Sequence, residues 1–241
     1  MGFAGTVPWT FFEYTKRKQH IYISQSYKGG NSINEKQFHL LLLVSIIGIF
    51  SWSVINPRDL FTWFLEVLPA VIGLIILVKI YPTFKFTCLT YFLMWIHAVI
   101  LMVGGHYTYA EMPLFNWLRD TFELSRNYYD RLGHFAQGFI PAIITRELLI
   151  RTSSLKKGRW IFYITISVCL AISAAYELLE FAVALFTGTA AEAFLGTQGD
   201  VWDTQWDMSF ALIGAFVALM ILGKWHDRLI TEKCTLNPDK K

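Results

Sequence analysis

Residues 38–55 read FHLLLLVSIIGIFSWSVI, and no charged side chain interrupts the chain from Gln37 to Pro57. A helix of roughly 20 apolar residues crosses about 30 Å of hydrocarbon. This stretch is apolar on every side, which excludes an amphipathic surface helix and predicts a membrane span. Five more spans are read outward from it. Leu60 to Val78 follows the turn Asn56-Pro57-Arg58-Asp59 and carries one carboxylate, Glu66, and one helix-perturbing residue, Pro69. Phe86 to Gly105 holds His97, its one side chain that titrates near neutral pH, and closes on Gly104-Gly105-His106, where two glycines disfavour further helix. Leu132 to Thr145 gives 14 uncharged residues between Arg131 and Arg146. It spans only if those arginines snorkel or if the helix lies partly inside the bundle. Trp160 to Phe186 contains Glu177 and Glu180, and Met208 to Gly223 is entered through Asp207. The expected fold is an all-α integral membrane protein, one domain of six transmembrane helices in one bundle over 37–223. An N-terminal extension over 1–36 and a C-terminal tail over 224–241 flank it.

Composition agrees with that reading. Of 241 residues 54% are hydrophobic, 17% aromatic and only 16% charged, with a mean hydropathy of +0.42. Soluble domains carry more charge and disordered chains fewer aromatics, so both classes are excluded. A net charge of +3 gives no support to nucleic-acid binding. Cys88, Cys169 and Cys234 are too scattered for a disulfide framework or a metal knuckle. Lysine and arginine alternate unevenly between the connections: seventeen fall on the side of the termini and four, Arg58, Arg119, Arg126 and Arg131, on the other. The positive-inside rule then places both termini in the cytoplasm. Residues 1–36 lack the basic and then apolar order of a signal peptide.

In the long connection between the third and fourth spans, Leu114, Trp117, Leu118, Thr121, Phe122 and Ser125 recur at helical spacing behind Pro113. This predicts an interfacial helix. Placing each polar residue at its depth gives a second pattern. Asp130, His134 and Gln137 share the face of the fourth span near its outer end, beside Arg131. Glu177 and Glu180 lie three apart in the outer third of the fifth. Asp200, Asp203 and Asp207 follow an i, i+3, i+7 spacing before the sixth. A carboxylate at the centre of a span costs about 2.5 to 3.5 kcal/mol, so two on one turn require partners.

A bound cation is one such partner, and mixed carboxylate and imidazole sets suit divalent transition metals. The candidate metal ligands are His134, Glu177, Glu180, Asp203 and Asp207. Glu177, Glu180 and His134 are the candidate catalytic groups, with a glutamate as general base of a metal-assisted hydrolysis. Asp130, Arg131, Gln137 and Asp200 are the candidate ligand-binding groups, for a polar or cationic small molecule derived from the envelope. His106 is an additional candidate ligand. The rival is a non-catalytic accessory membrane protein in which these groups hold helices together. A proton relay or a solute transporter would need polar groups through to the inner half. There only Glu147 stands out, read as part of a cytoplasmic surface pair. No nucleophile elbow and no phosphate loop is present.

At these residues the chain is recognisable. GGHYTYAEMPLFNWLRDTFELSRNYYDRLGHFAQGFIPAI (104–143), YELLEF (176–181) and AEAFLGTQGDVWDTQWDMSFALIGA (191–215) resemble the YjdF family of predicted bacterial inner-membrane proteins. The resemblance runs from Phe38 to Trp225 and implies a multi-pass inner-membrane protein; it assigns no activity. The order of Asp130, Arg131 and His134, then Glu177 or Glu180, then Asp203 or Asp207, is also similar to that of VanZ-like proteins, which are associated with glycopeptide tolerance. The chain departs from that pattern in having no basic residue over 187–207.

Overall fold

A computed structural model describes residues 34–188 and 192–236. Among them all regular structure is helical. The long helices are α1 (Glu35–Ser53), α2 (Leu60–Ile80) and α3 (Cys88–Tyr107), then α5 (Tyr129–Thr152), α6 (Arg159–Thr187) and α8 (Asp203–Leu236). A 3-10 turn (Tyr109–Glu111), α4 (Pro113–Thr121) and α7 (Glu192–Leu195) are short. The chain divides into a unit ending at Leu40, of which the described part opens α1, and a unit from Leu41 onward that carries everything below. The expected extension over 1–36 lies, apart from its last three residues, outside the described residues.

Five helices, α1, α2, α3, α6 and α8, are long and apolar enough to cross a membrane. The α5 helix is 24 residues long, so length does not disqualify it. Its charges do, and its packing explains them. Half of its residues are buried, among them Asp130, Arg131, His134, Arg146 and Glu147, against α8, α6 and α3. A helix surrounded by protein needs no apolar face toward lipid. The 14 uncharged residues from Leu132 to Thr145 thus lie within a longer helix that continues at both ends in buried polar turns. Likewise α8 runs on to Leu236 with no break at Gly223, so the expected tail begins as helix. The helix expected between the third and fourth spans is present but stops at Thr121, two residues before Glu123 takes a positive φ of 51°.

Packing divides into two apolar clusters and two polar layers. Ile46, Val67 and Met102 join α1, α2 and α3. Trp95 and Trp63 donate their indole N–H groups to Ser45 and Ser53 of α1 at 2.9 and 3.2 Å. The second cluster fills the middle of α3, α5, α6 and α8 with Leu93, Ile140, Ile143, Cys169, Ala215 and Leu219. Here α5 and α8 run in the same direction and touch backbone to backbone. A Cβ at Gly138 would overlap the carbonyl of Ala211, and one at Gly214 the carbonyl of Phe135. Small residues at a crossing permit such an approach.

One polar layer lies at the C-terminal end of α5. Glu147 is completely buried there, which corrects its reading as half of a surface pair. It accepts hydrogen bonds from the Thr87 amide (2.9 Å), the Thr87 and Thr90 hydroxyls (3.0 and 2.6 Å), Arg151 (2.7 Å) and His226 (3.1 Å). Arg146 donates in turn to Asp227 at 2.8 Å. The other polar layer lies at the N-terminal end of α5. A rise of 1.5 Å per residue puts Asp130 and Glu147 about 25 Å apart, close to the thickness of a bilayer core.

Candidate functional site

The local sequence explains how the N-terminal layer is assembled. Asn127, fully buried, is clamped to the segment before α8 by a reciprocal pair: its amide donates to Gln198 Oε1 and its carbonyl accepts from Gln198 Nε2, both at 2.9 Å. Its own side chain donates to Met112 and Asn116, fastening α4. Gly196, at a φ of 60° that favours glycine, turns its carbonyl to Arg126 Nη2 at 3.0 Å. These bonds bring the start of α8 alongside the start of α5.

Two buried guanidinium groups face the aspartates that result. Arg126 and Arg131 each donate to Asp203 Oδ1 at 2.6 Å. Arg131 also donates to Asp200 at 3.2 Å and closely to Asp207 Oδ1, while Arg126 reaches Asp130 Oδ2 at 3.4 Å. Asp203, expected among the metal ligands, is thus already engaged twice on one oxygen. Asp200 is the most open of the four, with its side chain 29% exposed.

His134 lies deeper. Its Nδ1 is 3.1 Å from Gln137 Oε1, a contact that is a hydrogen bond when Nδ1 carries the ring proton. Its Nε2 faces Asp130 Oδ1 at 3.5 Å and Asp207 Oδ1 at 3.6 Å. A neutral ring would point a lone pair at two carboxylate oxygens. Charge demands that a proton or a cation stand between them. Asp130, His134 and Asp207 offer ligand atoms that all lie within 4.8 Å of one another, and all three side chains are buried. Glu177 Oε1 is 3.7 Å from His134 Nδ1 and, although buried, has no hydrogen-bond partner. One turn below it the buried Ser173 hydroxyl is also unpartnered.

The structure therefore gathers Asp130, Arg131, His134, Gln137, Glu177, Asp200, Asp203 and Asp207 at one end of the bundle. Glu180 is buried as well, without a cation in ion-pair reach among the described residues. His106 is not brought in: its ring lies tilted against Trp52 with centres 4.4 Å apart and hydrogen-bonds the Ser53 carbonyl at 3.1 Å. Sequence reasoning overlooked Arg126, whose i, i+4 spacing to Asp130 was its one signal. It also left Glu66 unplaced. That carboxylate, 4% exposed, accepts from the Tyr176 hydroxyl at 3.2 Å and so joins α2 to α6 beside the cluster. Burial raises the Tyr109 hydroxyl well above its ordinary pKa, and nearby Glu66 adds to the shift, so Tyr109 stays a neutral donor at this wall.

Among the described residues, helices only, several of them apolar enough to cross a membrane, together with a buried ionic cluster, point to an integral membrane protein. A family model described as "Predicted membrane protein (DUF2238)" matches residues 38–228, and the chain belongs to that family. It is similar to the Inner membrane protein YjdF of Escherichia coli (strain K12), with 44% identity over 180 residues that cover 75% of this chain and 86% of that protein. This agrees with the resemblance carried by the motifs at 104–143, 176–181 and 191–215. Neither match bears on the similarity to VanZ-like proteins. No solved structure matches the chain.

Proposed function

We propose that the chain is a multi-pass bacterial inner-membrane protein with six spans and cytoplasmic termini, and that its periplasmic end binds a divalent cation on Asp130, His134 and Asp207. The name of the 44% identical relative and the distribution of seventeen against four basic residues support the location and the orientation. The length and packing of α5 support its place as the fourth of the six spans. One observation carries the cation: His134 turns Nε2 toward two carboxylate oxygens while Nδ1 is held by Gln137. One imidazole and two carboxylates suit zinc, iron or manganese better than calcium. Glu177, with its unpartnered oxygen beside His134, is the group placed to act as general base toward a water or a polar envelope ligand. Arg126, Arg131 and Asp203 then hold the site in shape.

The test is the metal content of detergent-purified protein after loosely held ions are washed away. We expect close to one transition metal per chain, retained by Glu177→Gln/Glu180→Gln and lost by His134→Ala. Wild-type protein without metal overturns the proposal.

A second reading has its own support: both buried guanidiniums converge on Asp203. In it His134 is an imidazolium balancing Asp130 and Asp207, and the cluster locks α5 to α8 in an accessory membrane protein without catalysis. It predicts metal-free wild type, and a His134→Ala variant that unfolds at lower temperature in detergent and differs in nothing else.

A further inference from the structure

At the start of α6, far from the ionic cluster, Arg159, Trp160 and Tyr163 line a hollow of about 460 Å³. The three are three or four residues apart or adjacent, so they share one side of the helix. Trp160 and Tyr163 are 72% and 57% exposed. Phe162 turns the other way and packs edge-on against Phe216 of α8, at 5.8 Å between ring centres. The hollow therefore faces outward from the bundle.

Among the described residues its charge has no carboxylate partner, unlike those of Lys157 and Arg151. Lys157 is 2.9 Å from Asp227, and Arg151 is 2.7 Å from Glu147. Among the described residues Arg159 has no carboxylate in ion-pair reach, and no acidic side chain lines the hollow. Beyond it Ser167, Leu170 and Leu178 are exposed toward the same side of α6 as Tyr163. Cation, aromatic rings and, past Ser167, the apolar Leu170 and Leu178 thus follow in the order of a phospholipid: phosphate, glycerol, acyl chain. Tryptophan and tyrosine settle at the head-group level of a bilayer. Arginine matches two phosphate oxygens at once.

We infer that this hollow binds the head group of an anionic phospholipid. The Arg159 guanidinium takes the phosphate oxygens, Trp160 and Tyr163 flank the glycerol, and one acyl chain lies along Leu170. A zwitterionic lipid would bring an ammonium group to a place with a cation and no acid, so the hollow discriminates by charge.

Full-length protein in detergent, titrated with phosphatidylglycerol or phosphatidylcholine and read by native mass spectrometry, tests this. Wild type is expected to retain phosphatidylglycerol through delipidating washes and to release phosphatidylcholine. Arg159→Gln and Trp160→Leu, both at exposed positions, are expected to lose the retained lipid while unfolding at the wild-type temperature. Inorganic phosphate is expected not to displace it. Equal retention of the two lipids, retention unchanged in both variants, or displacement by free phosphate each overturns the inference.

Discussion

Glu147 and Glu177 look alike in the sequence, single carboxylates in or beside apolar runs, yet their surroundings are opposite. Glu147 has five donors on it, from the cap and first turn of α3, from α5 and from α8, and its removal takes a shared acceptor from all of them. Glu147→Ala is therefore expected to cost about 3 to 5 kcal/mol, the usual penalty for breaking a buried ion pair. A large fall in the thermal unfolding temperature in detergent checks it. Ser173→Ala, which removes a buried hydroxyl bonded to nothing, is expected to leave that temperature unchanged or slightly higher, because no hydrogen bond is lost. The convergence of Asp130, His134, Glu177 and Asp207 was legible because depth follows from helix register. What the register leaves open is which atom takes which partner. That Asp203 serves two arginines depends on the clamp between Asn127 and Gln198, seventy-one residues apart.

The α5 helix was the least legible element, for a physical reason. Hydropathy detects a helix by the lipid it faces, and α5 faces protein. Its meeting with α8 rests on two glycines, each pressed against the other helix's backbone. Gly138→Ala and Gly214→Ala are expected to force these helices apart at a cost of about 1 to 3 kcal/mol or more each, the range for overpacking. Loss of monodisperse protein on size exclusion, or a drop in unfolding temperature, measures the effect. Gly48 and Gly73, with open space around the position of a Cβ, provide the controls: alanine there is expected to be neutral. Of the five apolar helices, α1, α2, α3 and α6 were read within a few residues of their bounds, with Asp59 and Thr87 capping α2 and α3 where the apolar runs begin, whereas α8 runs past Gly223 to Leu236.

For the whole molecule the native cysteines test the proposed orientation without new handles. Cys88 and Cys234 are exposed and Cys169 is buried. With cytoplasmic termini, Cys88 and Cys234 both lie on the inner side. A membrane-impermeant maleimide is then expected to leave intact spheroplasts unlabelled and to label after permeabilisation. Ser125→Cys, in the connection after α4, is expected to label from outside. Labelling of the native cysteines in intact spheroplasts would reverse the orientation and move the ionic cluster to the cytoplasm.

The burial of α5 between partners on both sides also sets an order of events during synthesis. When α5 leaves the ribosome, α8, which supplies Asp203, Asp207 and His226, does not yet exist. Until those residues emerge, Arg131 and Glu147 would confront lipid at a cost of about 2.5 to 3.5 kcal/mol for a charge at mid-span, less near the edges. On the proposed six-span arrangement the helix waits beside the insertion machinery for a partner made some seventy residues later, and membrane entry proceeds in two steps. A nascent chain stopped at Gly188 should leave α5 extractable or protease-sensitive, while α1, α2 and α3 are already seated.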